Sequence, residues 1–132
     1  MFPSDLIHRS FQASNGELAW SREDARLAVP ILVRQQRAIL GGELWWVPDG
    51  AGEWTGLIPQ RQGPDAVYPW ETTRAAGEDW STFVLRCAGD SLKAIGRWPA
   101  AEDLPTDLRG RVLYNLTWVS ESEYRELRAD AV

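Results

Sequence analysis

From Arg111 to Val119 the apolar positions alternate, with Val112, Tyr114, Leu116 and Trp118 on one side and Leu113, Asn115, Thr117 and Val119 on the other. A period of two predicts a strand, here with one fully buried face. A different period governs the segment before it. Trp80, Phe83, Val84, Cys87, Ser91, Ile95 and Trp98 follow one another at intervals of three or four, with one neighbouring pair, which puts them on one face of a helix. Pro99 ends that helix, and Glu78 and Asp79 favour its start by sitting at the positive end of the dipole.

The remaining elements follow from local signals. Ile7 and Phe11 lie one turn apart in a short helix predicted over Ser4 to Phe11, broken by Ser14, Asn15 and Gly16. Ser21 followed by Arg22, Glu23 and Asp24 reads as a helix start, running to about Gln36 with Ala25, Ala28, Val29 and Leu32 inward. Pro30 removes one internal hydrogen bond and is expected to kink or divide it. Ala38 to Val47 has strand composition, Pro48, Asp49 and Gly50 supply a turn, and Glu53 to Ile58 is the expected antiparallel return. Gly41 and Gly42 inside the first strand mark a bulge or a close backbone approach. Pro59 to Ala76 reads as a long irregular loop, Ala100 to Gly110 as a connection, and Glu121 to about Ala129 as a last helix introduced by a Ser120/Glu123 capping box. The sum is a single α+β domain over residues 1–132, a small antiparallel sheet with helices packed mainly on one face.

Charge and composition narrow the function. Fourteen Lys and Arg against nineteen Asp and Glu leave a net charge of −5, which repels a phosphate backbone, so nucleic acid is not an expected partner. The longest apolar run, Leu27 to Val33, is too short for a membrane span, and no signal-peptide pattern opens the sequence, so the expected location is the cytoplasm. One cysteine, Cys87, permits no internal disulfide, and its place on a buried helix stripe reads as packing. One histidine, His8, in a marginal helix is a poor general base. The adjacent carboxylates Glu23/Asp24, Glu78/Asp79 and Glu102/Asp103 diverge rather than converge, and no metal-ligand spacing, phosphate loop or nucleophile elbow occurs. Neither a catalytic residue, a metal site nor a cofactor is expected.

Tryptophan is what the sequence spends instead, eight times in 132 residues. Trp80, Trp98 and Trp118 fall on faces expected to be buried, and Trp20 flanks a helix start. Trp45 and Trp46 are neighbours in a strand and must point to opposite faces. With Trp46 taken as the outward ring, Trp46, Trp54, Tyr68 and Trp70 form an aromatic patch of the sort enriched at protein interfaces. Glu43, Asp49, Glu53, Asp65 and Glu71 give it an acidic rim that would speed association with a basic partner. Replacing Trp70 and Glu71 together is then expected to weaken partner binding without unfolding. The alternatives are a small-molecule or peptide-binding regulatory domain with the patch as a pocket wall, and an enzyme whose carboxylates only the fold brings together.

Three stretches carry a resemblance: Ala19-Trp20-Ser21-Arg22-Glu23-Asp24-Ala25, Ile39-Leu40-Gly41-Gly42-Glu43-Leu44-Trp45 and Glu78-Asp79-Trp80-Ser81-Thr82-Phe83-Val84. In these the chain resembles the small cytoplasmic immunity proteins of bacterial polymorphic toxin systems. The resemblance implies a protein that binds a cognate toxin stoichiometrically and neutralises it by steric occlusion. It transfers no binding residue, because the shared stretches are packing and capping motifs.

Overall fold

The protein is described by a computed structural model, in which residues 1–50, 52–56, 70–97 and 109–130 are described. Its elements run α1 (Ser4–His8), β1 (Phe11–Gln12), β2 (Leu18–Trp20), α2 (Arg22–Arg34), β3 (Ala38–Pro48), β4 (Thr55–Gly56), β5 (Trp70–Glu71), α3 (Trp80–Arg97), β6 (Gly110–Val119) and α4 (Glu121–Asp130). The strands form one antiparallel sheet in the order β1-β2-β6-β3-β4, and β5 also pairs with β3. The two long strands, β3 and β6, pair from Ala38↔Val119 to Pro48↔Gly110 and make the spine of the sheet. This is the expected α+β architecture.

Alternation along β3 and β6 sorts side chains onto two faces. Leu44, Tyr114 and Leu116 enter the main core, which α2 fills with Ala25, Ala28, Val29 and Leu32 and α3 with Phe83, Val84, Cys87 and Ile95. Trp20 joins them with no solvent exposure, and Phe2 and Leu6 close that end. Trp45, Val47 and Leu113 point the other way, into a second, smaller cluster with Ala19. Cys87 lies wholly inside, and burial pushes its thiol up to about 12, so almost no thiolate exists at neutral pH. Among the described residues no helix is long and apolar enough to cross a membrane.

Several expectations are met in detail. Ser21 Oγ accepts from the Asp24 amide at 3.3 Å, starting α2. At α4 the capping box is complete: Ser120 Oγ accepts from the Glu123 amide at 3.2 Å, and Glu123 Oε1 accepts from the Ser120 amide at 2.8 Å. The bulge falls between Ile39 and Gly41, next to the glycine pair.

Others are corrected. Pro30 does not divide its helix, for α2 runs on to Arg34, and Pro30 lies on its exposed side. The first helix stops at His8, and Phe11 belongs to strand β1 instead. Trp20, read as a helix flank, is the last residue of β2 and a centre of the core. Two residues of the supposed loop, Trp70 and Glu71, form β5 on the edge of β3. Of the predicted return strand only Thr55 and Gly56 pair among the described residues. From Trp45 to Gly42 β3 advances three residues, whereas from Gly56 to Trp70 its partner advances fourteen. β4 and β5 are thus one edge strand in direction, interrupted in sequence. No periodicity rule finds strands of two residues, which exist only because β3 offers them an edge.

A salt bridge fixes the entry to α3. Arg86 donates to both Glu78 carboxylate oxygens, at 2.9 and 2.7 Å, and Glu78 Oε1 also accepts from the Ala75 amide at 2.9 Å. Chiefly through Arg86, and then through that amide, the Glu78 carboxyl is held at about 2, below its ordinary 4.5. A depressed folded value contributes stability that is complete above the unfolded value and is lost as pH falls through the folded one. The stability advantage of the wild type over Arg86→Ala is therefore expected to shrink between pH 4.5 and about 2. Urea midpoints of both proteins across that range measure it, and a constant difference overturns the assignment.

Candidate functional site

The sheet face turned away from α2 and α3 is only partly covered. Trp45, on this face and fully buried, lies under Trp54, whose ring is parallel to it at 4° with centroids 3.9 Å apart. Phe11 meets Trp45 edge-on at 6.2 Å although β2 and β6 stand between their strands, so the β1 edge curls over this face. Phe11, Ala13, Ser14, Gly52, Glu53 and Trp54 line a cleft of about 260 Å³ between the two edges. Among the described residues the stack covers one end of the face and leaves the other end open.

At that other end is a depression of about 380 Å³. Its floor is Gly41, Gly42 and Asn115, and its rim carries Glu17, Glu43, Glu71 and Thr117. The sequence puts each group there. Glu43 precedes Trp45 by two positions and therefore shares its face, where its Oε1 accepts from Trp45 Nε1 at 2.8 Å. Asn115 pairs with Glu43 across the β3/β6 ladder. Glu71 pairs with Gly41 and Glu17 comes from the β1–β2 turn, where its amide and carboxylate are both bound by Asn15. Asn115 is buried at 4 % exposure, and its Nδ2 donates to Leu18 O at 2.9 Å. Among the described residues no Lys or Arg lines either the cleft or the depression.

The glycines are needed for closeness. A Cβ on Gly41 would strike the Trp70 carbonyl, and one on Gly42 would strike the Asn115 carbonyl and the Trp70 ring. The pair thus lets β5 and β6 both approach β3, and it leaves Asn115 as the one side chain on the floor of the depression among the described residues.

The residues anticipated for a contact surface are divided by this geometry. Glu43, Trp54 and Glu71 are on the open face or its rim, with Glu53 beside Trp54 in the cleft. Asp49 is exposed in the turn after β3. Trp46 is a correction: Trp45 is the ring that faces away, while Trp46 packs against the main core and its Nε1 donates to Arg109 O at 3.0 Å. Trp70 is another: it lies across Gly42 on the helix side and its Nε1 donates to Ser91 Oγ at 3.2 Å. Replacing Trp70 would leave the buried Ser91 hydroxyl and a core flank without their partner, so it cannot separate binding from folding. Tyr68 and Asp65 lie outside the described residues.

Asn115, Glu17, Phe11 and the glycine floor were missed. Asn115 had a signal, being the one amide in a strand whose other members are largely apolar. Glu17 and Phe11 had none, since only the curl of the β1–β2 edge brings them to this face. His8 is exposed on α1, apart from all of this. Among the described residues no three His, Cys, Asp or Glu side chains gather closely enough to hold a metal ion.

No protein-family model, no curated protein and no solved structure matches the chain.

Proposed function

We propose that this chain is an immunity protein, binding one cognate bacterial toxin in a stoichiometric complex and silencing it by covering a surface the toxin needs. The observation that carries the reading is the sheet face away from α2 and α3, where four carboxylates, Glu17, Glu43, Glu53 and Glu71, edge two concavities that no Lys or Arg among the described residues lines. Such a surface attracts a basic partner, speeds its encounter and discriminates against acidic ones. Glu43 and Glu71 sit on paired strands, so little ordering of that part of the surface is needed on binding. The reading places its action in the cytoplasm, in keeping with a lone buried thiol that needs no oxidising compartment.

A metabolite pocket is supported less well. Apolar walls dominate such pockets, whereas most side chains around the larger depression are polar.

The test is expression of the neighbouring upstream reading frame with and without this chain. Toxicity relieved only by co-expression, together with a complex recovered at one-to-one ratio, is the expected result. Harmless neighbours and no complex would sink the proposal.

A further inference from the structure

We infer that the depression on the open face is a socket for one guanidinium group, an arginine side chain presented by the bound partner protein. The inference rests on the open face being the contact surface, and it names what that surface selects.

Asn115 lines the depression. The residue is only 4 % exposed, yet its amide makes one hydrogen bond among the described residues: Nδ2 donates to Leu18 O, and no donor there reaches Oδ1. A buried carbonyl oxygen without a donor is costly, and the residue that carries this one lines a cavity a ligand can enter. The same hydrogen bond fixes which way the amide points, because the nitrogen must face Leu18 O.

The groups around Oδ1 also accept. Glu43 is held by Trp45 Nε1 through one oxygen, which orients the carboxylate and leaves the other oxygen for a ligand. Glu71 and Glu17 add two further carboxylates, and Thr117 a hydroxyl that can accept. The occupant must therefore bring several donors and a positive charge.

Two observations favour guanidinium over a compact cation. Among the described residues no three carboxylates gather closely enough to hold a metal ion. An ammonium likewise offers three donors from one point, whereas a guanidinium presents five in a rigid plane and can reach separated acceptors together. The space of about 380 Å³ admits that group with part of its stem. A flat glycine floor suits the face of a planar ion better than side chains would. Arg111, the basic residue of β6 on this face, stands four residues from Asn115 and does not line the socket.

The test uses N-acetyl-L-arginine amide, titrated into the full chain labelled with nitrogen-15. Saturating shifts are expected in the Asn115 side-chain amide, the Gly41 and Gly42 backbone amides and the Trp45 indole. N-acetyl-L-lysine amide should bind at least several-fold more weakly, and the uncharged citrulline analogue should cause no saturating shift. Glu43→Gln and, on an exposed side chain that cannot unfold the sheet, Glu71→Gln should each weaken arginine binding about tenfold, the loss expected when one charged acceptor is removed. Equal binding of the lysine probe, shifts centred elsewhere, or no saturation by the arginine probe overturns the socket. These measurements need no toxin, so a socket that fails while the toxin complex forms, or the reverse, is told apart.

Discussion

Trp20→Ala is expected to be the most destabilising aromatic substitution among the described residues, by about 3–5 kcal/mol, the range seen when a large buried ring is removed from a core. Trp20 has no exposed surface, lies edge-on to Phe2 at 5.1 Å and stacks with Trp118 at 6.3 Å. Alanine would empty the centre of this cluster, and neighbours tied to strands and helices can collapse into it only in part. There is a second cost. Trp20 Nε1 donates to Leu6 O at 3.1 Å, and that bond ties α1 to the sheet. Deleting the ring leaves the carbonyl without a partner and frees the N-terminal segment. Trp20→Phe separates the two contributions, since it keeps most of the packing and loses the donor, and about 1–3 kcal/mol is expected. Urea unfolding of the three proteins measures both. A loss below about 1.5 kcal/mol for the alanine variant would falsify the central role given to this ring.

That role was invisible in the sequence for a definite reason. Trp20 lies in a three-residue strand beside a strong helix start, and the Ser21 cap is the louder signal. The long elements were legible because each repeats its pattern often enough to be read: α3 over eighteen residues and β6 over ten. Short strands carry no such repetition. β1, β4 and β5 have two residues each and are held by what lies beside them.

The same distinction explains the candidate site. That Trp45 and Trp46 point apart follows from strand geometry alone, but which of them meets the helices depends on the register with β6 and on where α2 and α3 pack. Pairing of Trp45 with Leu113 and Trp46 with Val112 settles it, for Val112 belongs to the alternating set that faces the main core. Once that choice is made, Glu43 must follow Trp45 to the open face. That Glu43 shares the face of Trp45 was therefore readable from sequence, whereas the turning of Trp46 and Trp70 to the helix side was not. Trp54 alone of the anticipated aromatics lies there among the described residues, and it works as a lid on Trp45.

The glycine pair gives the second large effect, and one whose sign reverses elsewhere in the same chain. Gly42→Ala is expected to cost about 1–3 kcal/mol or more, the range for forced overpacking, instead of the gain that alanine brings at an unstrained site. A Cβ at Gly42 would lie 2.5 Å from two Trp70 ring carbons and closer still to the Asn115 carbonyl oxygen. The ring could move only by leaving Ser91 Oγ, and the carbonyl belongs to the central β3/β6 ladder. At Gly41 the clash is with the Trp70 backbone, its carbonyl carbon at 3.1 Å and the Glu71 Cα at 3.2 Å, so Gly41→Ala should push β5 off its edge. Gly89 is the contrast, since nothing lies within 4 Å of a Cβ placed there, in the middle of α3. Gly89→Ala is expected to stabilise by about 0.5–1 kcal/mol, because helix interiors penalise glycine. Urea midpoints of the three variants decide the matter, and a neutral Gly42→Ala overturns the close approach of β5 and β6 to β3. Gly41→Ala bears on function as well, because Glu71 sits on β5. A variant that stays folded but loses the β5 pairing should also lose its hold on the arginine probe, whereas Gly89→Ala should bind it as the wild type does.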